Sequence, residues 1–223
     1  MSDHNGVLGA LAPMASIGAR AARGAFWTDT EIRRDGSGPS VEMSDWRGVQ
    51  PPEEGAGPLN HRHYRIHIDG AELSAAELVD AFRRRPNDFS PTSFAVFDPA
   101  PGPNGMTVDD ELTVRLPGPW DGPVVVGATE PTGLRFETLQ GHMEAGWIEF
   151  RTRNEDGLLV FEIESVARSG DAAFDALHHP GKIAKLVQTE MWVRVLESAV
   201  DISGGRMQGR PMVETDIHEG ARQ

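Results

Sequence analysis

The side chains best suited to chemistry lie in residues 134–150, where two segments of alternating polarity flank a turn that contains glycine. Because successive side chains of a strand point to opposite faces, Thr138, Gln140 and His142 are predicted to share a face with the apolar Phe136. A face that carries polar groups among apolar ones is suited to line a cavity. The pattern therefore predicts a candidate site on this face.

His142 is the best single candidate for acid–base chemistry, because an imidazole with an ordinary pKa of about 6.5 exchanges protons at neutral pH. Gln140, two residues earlier, is placed to orient a carbonyl or hydroxyl group. The alternative is that His142 caps the turn by bonding to the backbone around Gly141 and Gly146. The pattern favours this alternative, because the ends of turns often carry such groups.

The same alternation extends the candidate site beyond the two predicted catalytic residues, His142 and Gln140. The predicted ligand-binding residues come from the hairpin, the strand after it and the last helix: Phe136, Thr138, Ile148, Phe150, Phe161, Ile163, Ser165, Gln188 and Trp192. The opposite face carries residues that we expect to form cross-strand ion pairs in solvent: Arg135, Glu137, Glu149, Arg151, Glu162 and Glu164.

Three histidines and an arginine share one face of an earlier strand: His61, His63, Arg65 and His67. A zinc site needs three or four convergent ligands, and the arginine would sit among them. A polar strand face in contact with solvent is the favoured interpretation. We therefore expect no metal site and no cofactor.

Composition excludes several classes of function. The chain has 223 residues and a formal net charge of −13, from 34 acidic and 21 basic residues, which disfavours binding to nucleic acid and to anionic membrane surfaces. Cysteine is absent, which excludes disulfides and thiolate catalysis and is consistent with a cytoplasmic protein. No apolar run is long enough to span a membrane.

The chain divides into three parts by composition. Residues 1–60 are predicted to form an irregular arm rich in glycine and proline, residues 61–203 a folded domain, and residues 204–223 a polar, frayed tail. The arm contains aromatic residues that we expect to anchor it to a neighbouring surface: Phe26, Trp27 and Trp46.

Within the domain, a strand and a capped helix precede six strands joined by short turns. Ser74 and Glu77 have the spacing of a capping box, and an apolar stripe predicts a long helix from Lys182 to Val200. Short turns between consecutive strands favour antiparallel pairing. The predicted class is α+β, a curved antiparallel sheet of about six to seven strands wrapped around a long C-terminal helix.

This order of elements resembles the helix-grip fold of the START-like (SRPBCC) superfamily. More narrowly, residues 138–146, the strand Phe161–Ser165 and the last helix resemble an uncharacterised bacterial and plant family of that superfamily, whose members share a Gly-His-x-Glu-x-Gly hairpin. The resemblance covers about residues 62–203. It implies a helix-grip fold with a cavity for a hydrophobic ligand.

Three functions stay open. The favoured one is binding of a hydrophobic or amphipathic small molecule in an internal cavity. The second is a cofactor-independent enzyme of specialised metabolism, of the cyclase, dehydratase or hydrolase type and similar to a polyketide cyclase, in which His142 and Gln140 act on a carbonyl compound. The third is a structural protein whose N-terminal arm covers a partner subunit, as in a homodimer.

Overall fold

The computed structural model describes residues 27–91, 93–116, 121–170 and 181–219, and the side chains of these residues except 181–185. The helices are α1 (Ala75–Arg84), α2 (Pro86–Phe89) and α3 (Gly181–Ser203). The strands are β1 (Thr28–Arg34), β2 (Ala56–Asp69), β3 (Val96–Asp98), β4 (Glu111–Arg115), β5 (Asp121–Glu130), β6 (Gly133–Thr138), β7 (Glu144–Glu155), β8 (Leu158–Ser169) and β9 (Arg206–His218). None of the described helices is long and apolar enough to cross a membrane.

The nine strands form one sheet in the order β1-β9-β2-β8-β7-β6-β5-β4-β3. Only β1 and β9 pair in parallel among the described strands. From β2 to α3 the chain runs through one strand, two short helices, six strands and one long helix. This order confirms the predicted α+β class and helix-grip architecture. The sheet has more strands than predicted, because β1 and β9 extend it beyond β2.

Two faces of the sheet are distinguished below. The inner face is the one that α1, α2 and α3 cover, and the outer face is the opposite one. α1 begins at Ser74, whose hydroxyl accepts the Glu77 N–H at 3.3 Å while the Glu77 carboxylate accepts the Ser74 N–H at 2.8 Å. This capping box confirms the predicted start of the helix. α1 presents Leu78 and Phe82 to the inner face.

The segment expected to be a frayed tail is instead a strand inside the sheet, since β9 lies between β1 and β2. Gly204 ends α3 with a φ of 73°, a conformation that glycine adopts without strain. The chain then turns back at once, and β9 buries Val213 and Thr215 on the inner face. Most residues of β9 are exposed or half-buried, so its place in the sheet depends mainly on backbone pairing.

The N-terminal segment packs on the sheet of its own chain. β1 is an exposed edge strand, and Trp27 packs against the main core. Val41 and Met43 lie on the outer face against a small cluster formed by Leu59, Trp147 and Val166. The Trp46 indole N–H donates to the Glu111 carboxylate at 3.0 Å. The third expected anchor, Phe26, lies outside the described residues.

Candidate functional site

The register of the sheet brings the predicted ligand-binding residues of the strands onto the inner face. Phe136, Ile148 and Ser165 are direct neighbours on β6, β7 and β8, and Arg62 of β2 follows Ser165 in the same row. The next row contains Phe150 and Ile163, again as direct neighbours. The alternation read from the sequence therefore places these side chains on the expected face.

The middle of the inner face is a packed aromatic core. The rings of Phe82 and Phe150 have centroids 4.4 Å apart, and those of Phe136 and Phe150 lie 5.9 Å apart. Phe161 packs against Phe89 of α2 at 6.3 Å. Helices α1 and α2 thus fill the space that the sequence assigned to a ligand. Four predicted ligand contacts are core residues with almost no exposed surface: Phe136, Phe150, Phe161 and Ile163.

Three other predicted residues lie where this core gives way to solvent. Ile148 on β7, and Gln188 and Trp192 on α3, are partly exposed. The Trp192 ring stands edge-on to Phe150, with centroids 5.7 Å apart. We call this region the open end, defined by Arg62, Glu144, Ile148, Gln188 and Trp192.

A buried polar cluster occupies the open end. Arg62 donates from Nη1 to a Glu144 carboxylate oxygen at 3.2 Å, and the Gln188 amide donates to the same carboxylate at 3.3 Å. Burial opposes the charge on Arg62, but Glu144 outweighs it and raises the pKa of the guanidinium. Arg62 Nε is buried and has no hydrogen-bond partner among the described residues. The cluster therefore holds one buried donor that the described residues leave without an acceptor.

Tyr64 lies beside this cluster and is almost completely buried. Burial raises the pKa of its hydroxyl to about 12, against the opposing effects of the Arg62 charge and a hydrogen bond with Thr189 of α3. The phenol is therefore neutral at physiological pH. Its hydroxyl is engaged by Thr189.

Thr138 holds the turn of the hairpin. Its hydroxyl accepts the Gly146 N–H at 2.9 Å and lies 3.1 Å from the carbonyl oxygen of Gln50. At Gly146 the backbone approaches β8 so closely that a Cβ would lie 2.0 Å from the Val166 carbonyl oxygen. Glycine is therefore required at this position for steric reasons.

His142 is also part of this turn. Its Nδ1 lies 2.9 Å from the backbone nitrogen of Glu144 and 3.0 Å from the Glu144 carbonyl oxygen, so it accepts the N–H in one tautomer and donates to the carbonyl oxygen in the other. The ring packs against Gly122 of β5, where a Cβ would lie 2.9 Å from Nε2. Burial lowers the pKa of His142, against the opposing charge of Glu144. The geometry is that of the turn-capping alternative, with a neutral ring whose Nδ1 is engaged by the backbone of Glu144.

Gln140 does not belong to the inner face. β6 ends at Thr138, and the side chain of Gln140 is exposed in the turn that follows. Its backbone N–H donates to the Gly48 carbonyl oxygen at 2.8 Å. The expectation that Gln140 shares a face with Thr138 is corrected, because side chains alternate between faces only as far as the end of β6.

Four residues near the open end were not singled out from the sequence: Arg62, Tyr64, Glu144 and Thr189. For two of them the sequence contains a pattern that could have identified them. Arg62 lies two positions before the apolar-facing Tyr64, so the period of two already places a charge on the inner face. Glu144 is the glutamate of the Gly-His-x-Glu-x-Gly hairpin. No pattern marks Thr189, which reaches Tyr64 only through the docking of α3.

The outer face carries the predicted cross-strand ion pairs. Glu162 accepts hydrogen bonds from Arg65 at 3.0 Å, Arg151 at 2.9 Å and Arg153 at 2.8 Å. Burial alone would raise the pKa of Glu162, but these guanidinium groups lower it to about 2. Glu137 departs from the prediction, because it is buried and its carboxylate accepts the Ser44 N–H at 3.0 Å.

A surface depression of about 400 Å³ lies at the other end of β2 and β8, where Ile68 and Leu159 line it. It is shallow, and two carboxylates line it: Glu77, which is already engaged by Ser74 in the capping box, and the exposed Glu72. This depression therefore holds no group that is prepared for a ligand, and the open end is the better candidate site.

Comparisons with solved structures show low structural similarity and low sequence identity. No protein-family model and no curated protein matches the chain. The di-domain ARO/CYC StfQ from the steffimycin biosynthetic pathway is 10% identical with a TM-score of 0.48, and the match covers 69% of this chain and 52% of that one. A protein from Arthrobacter aurescens is 14% identical with a TM-score of 0.45, covering 65% and 86%. Norcoclaurine synthase from Thalictrum flavum is 10% identical with a TM-score of 0.46, covering 74% and 98%.

The match with the di-domain protein spans about half of that protein's length. Identities and TM-scores in this range carry no argument about function. The functional case for this chain therefore depends on its own side chains.

Proposed function

We propose that this protein binds an amphipathic small molecule at the open end of the helix–sheet interface. The observation that carries the proposal is the buried Arg62, whose Nε has no hydrogen-bond partner among the described residues. A buried donor without an acceptor costs about 1–3 kcal/mol, so an oxygen atom of a ligand would be favoured there. The partly exposed Trp192 and Ile148 offer an apolar surface for the rest of the molecule.

The chemistry of the cluster indicates the class of ligand. A guanidinium group suits carbonyl and carboxylate oxygens, because its N–H groups lie in one plane. Glu144 already neutralises part of the charge of Arg62, so the polar end need not carry a full negative charge. The edge-on packing of Trp192 on Phe150 suits a ligand whose apolar part is flat. We therefore expect an aromatic or polycyclic compound with a carbonyl or carboxylate group.

The first experiment is to purify the full-length chain and identify any bound compound by native mass spectrometry. A binding assay then uses 8-anilinonaphthalene-1-sulfonate as the probe, because it joins an aromatic body to an anionic oxygen group. The test variant is Arg62→Met, and the matched control is Arg206→Met, whose side chain is 82% exposed at the far end of the sheet. Thermal unfolding is recorded for each variant, so that only folded protein is compared.

We expect saturable binding of one probe molecule by the wild-type chain and by Arg206→Met. Loss of one hydrogen bond to a charged group is worth about 1.5–3 kcal/mol, so Arg62→Met should weaken binding roughly 10- to 100-fold. Glu144→Gln keeps the volume of the side chain and removes the competing charge, so it should bind the probe at least as tightly. Equal affinities of the wild type and folded Arg62→Met would contradict the proposal.

An enzyme is the second candidate function, and the position of His142 favours it. The neutral ring lies next to Glu144, and in the tautomer whose Nδ1 accepts the Glu144 N–H its proton is on Nε2, where it is suited to polarise a carbonyl oxygen by hydrogen bonding. The test uses the compound that co-purifies with the chain. Conversion of that compound by the wild type and not by His142→Gln would support catalysis, whereas an unchanged compound in both samples would contradict it.

A further inference from the structure

Three histidines and two carboxylates gather on the outer face, where β2, β8 and β9 run side by side. His63 is the direct neighbour of Glu164 on β8, and His61 is the direct neighbour of Asp216 on β9. The ligand atoms form two groups, and within each group they all lie within 4.8 Å of one another. The groups are His61, His63, Glu164 and His61, Asp216, His218, so His61 belongs to both.

The distances in the first group suit a metal ion. Glu164 Oε1 lies 2.8 Å from His61 Nε2 and 3.7 Å from His63 Nε2. Tetrahedral zinc with bonds of about 2.0–2.2 Å places its ligand atoms about 3.3–3.6 Å apart. The 2.8 Å contact is a hydrogen bond between His61 and Glu164, which a bound ion would replace. The other oxygen of Glu164 is bound by Arg151, an arrangement that fixes the carboxylate from behind as outer-shell partners of metal ligands do.

The second group contains a buried histidine, His218. His218 is only 7% exposed, yet neither of its ring nitrogens has a hydrogen-bond partner among the described residues. Buried polar groups are normally paired, so this ring indicates that something else binds it. Its ligand atom faces those of His61 and Asp216, and Asp216 is oriented by Arg34 at 2.8 Å.

Arg65, which the sequence places between the histidines, does not interfere. Its side chain turns toward Glu162, with Nε at 3.0 Å from the carboxylate. The ligand groups of the cluster are therefore imidazoles and carboxylates, and Arg34 and Arg151 bind its two carboxylates. Imidazole-rich sites suit zinc and similar transition metals, whereas magnesium and calcium prefer sites made of oxygen atoms alone.

We propose that this outer-face cluster binds one divalent transition-metal ion of the Zn²⁺ type, with His61 as the ligand common to both arrangements. His63 with Glu164, or Asp216 with His218, completes the ligand set on either side of His61. An ion held by His61, Asp216 and His218 would fasten β9 to β2, whereas an ion held by His61, His63 and Glu164 would link β2 to β8. This site is separate from the open end, which lies on the inner face.

The test uses the untagged full-length chain after treatment with a chelator, titrated with ZnCl₂ in a calorimeter and, in parallel, with MgCl₂. The test variant is His61→Ala, and the matched control is His67→Ala, a histidine of the same strand and face that belongs to neither group. Far-UV circular dichroism checks that each variant is folded. Thermal unfolding with and without Zn²⁺ gives a second measurement that does not depend on any activity.

We expect one zinc ion per wild-type chain with micromolar or tighter affinity, no comparable binding of magnesium, and a higher Tm in the presence of Zn²⁺. His61→Ala should weaken zinc binding at least tenfold and lose the rise in Tm, while His67→Ala should behave as the wild type. Comparing His63→Ala with His218→Ala shows which pair completes the site, and at least one of the two must weaken binding. No saturable zinc binding by the wild type, or equal binding by all four variants, overturns the proposal.

Discussion

The Glu162 carboxylate lies beneath three guanidinium groups, and replacing it with glutamine should destabilise the fold by an amount that depends on pH. Arg65, Arg151 and Arg153 all donate to this side chain, which is only 6% exposed. Glutamine has nearly the same shape but no charge. The change therefore removes the ion pairs and leaves the packing of β8 almost unaltered.

The expected magnitude follows from the pKa of this carboxyl group. Its pKa is about 2 in the folded chain, against an ordinary value of 4.5. A difference of about 2.5 pH units corresponds to about 3 kcal/mol of stability at pH 7. Because the folded-state pKa is depressed, this stability is present above the ordinary pKa and is lost as the pH falls from 4.5 toward 2. At pH 3 about 1.4 kcal/mol should remain.

The assay is urea unfolding of the wild type and of Glu162→Gln at pH 7, 5 and 3. The matched control is Glu155→Gln, which also loses a partner of Arg153 but has a side chain that is 46% exposed. Exposed ion pairs contribute at most about 1 kcal/mol, so this control should lose much less stability. A cost of Glu162→Gln below about 1 kcal/mol at pH 7, or a cost that does not change between pH 7 and pH 3, refutes the reasoning.

Three further predictions concern single side chains. Gly146→Ala should lower stability by about 2 kcal/mol or more in urea unfolding, because its Cβ would collide with the Val166 carbonyl oxygen; an unchanged midpoint would contradict the close approach. Ser44→Ala removes the hydroxyl that donates to the buried Glu137 and keeps the backbone N–H donor, so it should cost about 1–3 kcal/mol in the same assay, and a cost near zero would contradict it. Tyr64 is the single tyrosine of the chain, so its absorbance near 295 nm reports its ionisation directly. The midpoint should be about 12 in the folded chain and about 10 in urea, so stability should fall as the pH rises above 10; equal midpoints would contradict its burial.

The parts of the fold that the sequence predicted are those that local patterns determine. The alternation along β2, β7 and β8 is set by which side chains face the core, and the capping box fixes the start of α1. The long helix was predicted from Lys182 to Val200 and runs from Gly181 to Ser203. Each of these signals lies within a few residues of the element that it describes.

The parts that escaped prediction depend on partners far along the chain. β9 was read as a frayed tail because its side chains are mostly polar, and only pairing with β1 and β2 makes it a strand. Glu137 was assigned to solvent by alternation, and it is buried because Ser44 of the N-terminal segment covers it. No window of sequence around either segment contains that information.

The candidate site was likewise predicted where local patterns determine it and missed where distant segments do. Alternation predicted correctly which strand residues face inward, but it could not tell which of them α1 and α2 would cover. Phe82 fills the space over Phe150, whereas nothing among the described residues covers Trp192 and Ile148 completely. Gln140 was misplaced because the pattern does not show where β6 ends.

The parallel pairing of β1 with β9 has a consequence for synthesis of the chain. Thr28 pairs with Met212, so among the described strands β1 has no partner until β9 has left the ribosome. At roughly 5–20 residues per second, β2 to α3 can collapse into a helix-grip unit seconds before β9 emerges. During that interval the edge of β2 is unpaired, and an unpaired edge can join the strand of another nascent chain. Pairing of β9 with β2 is thus the step that ends this exposure.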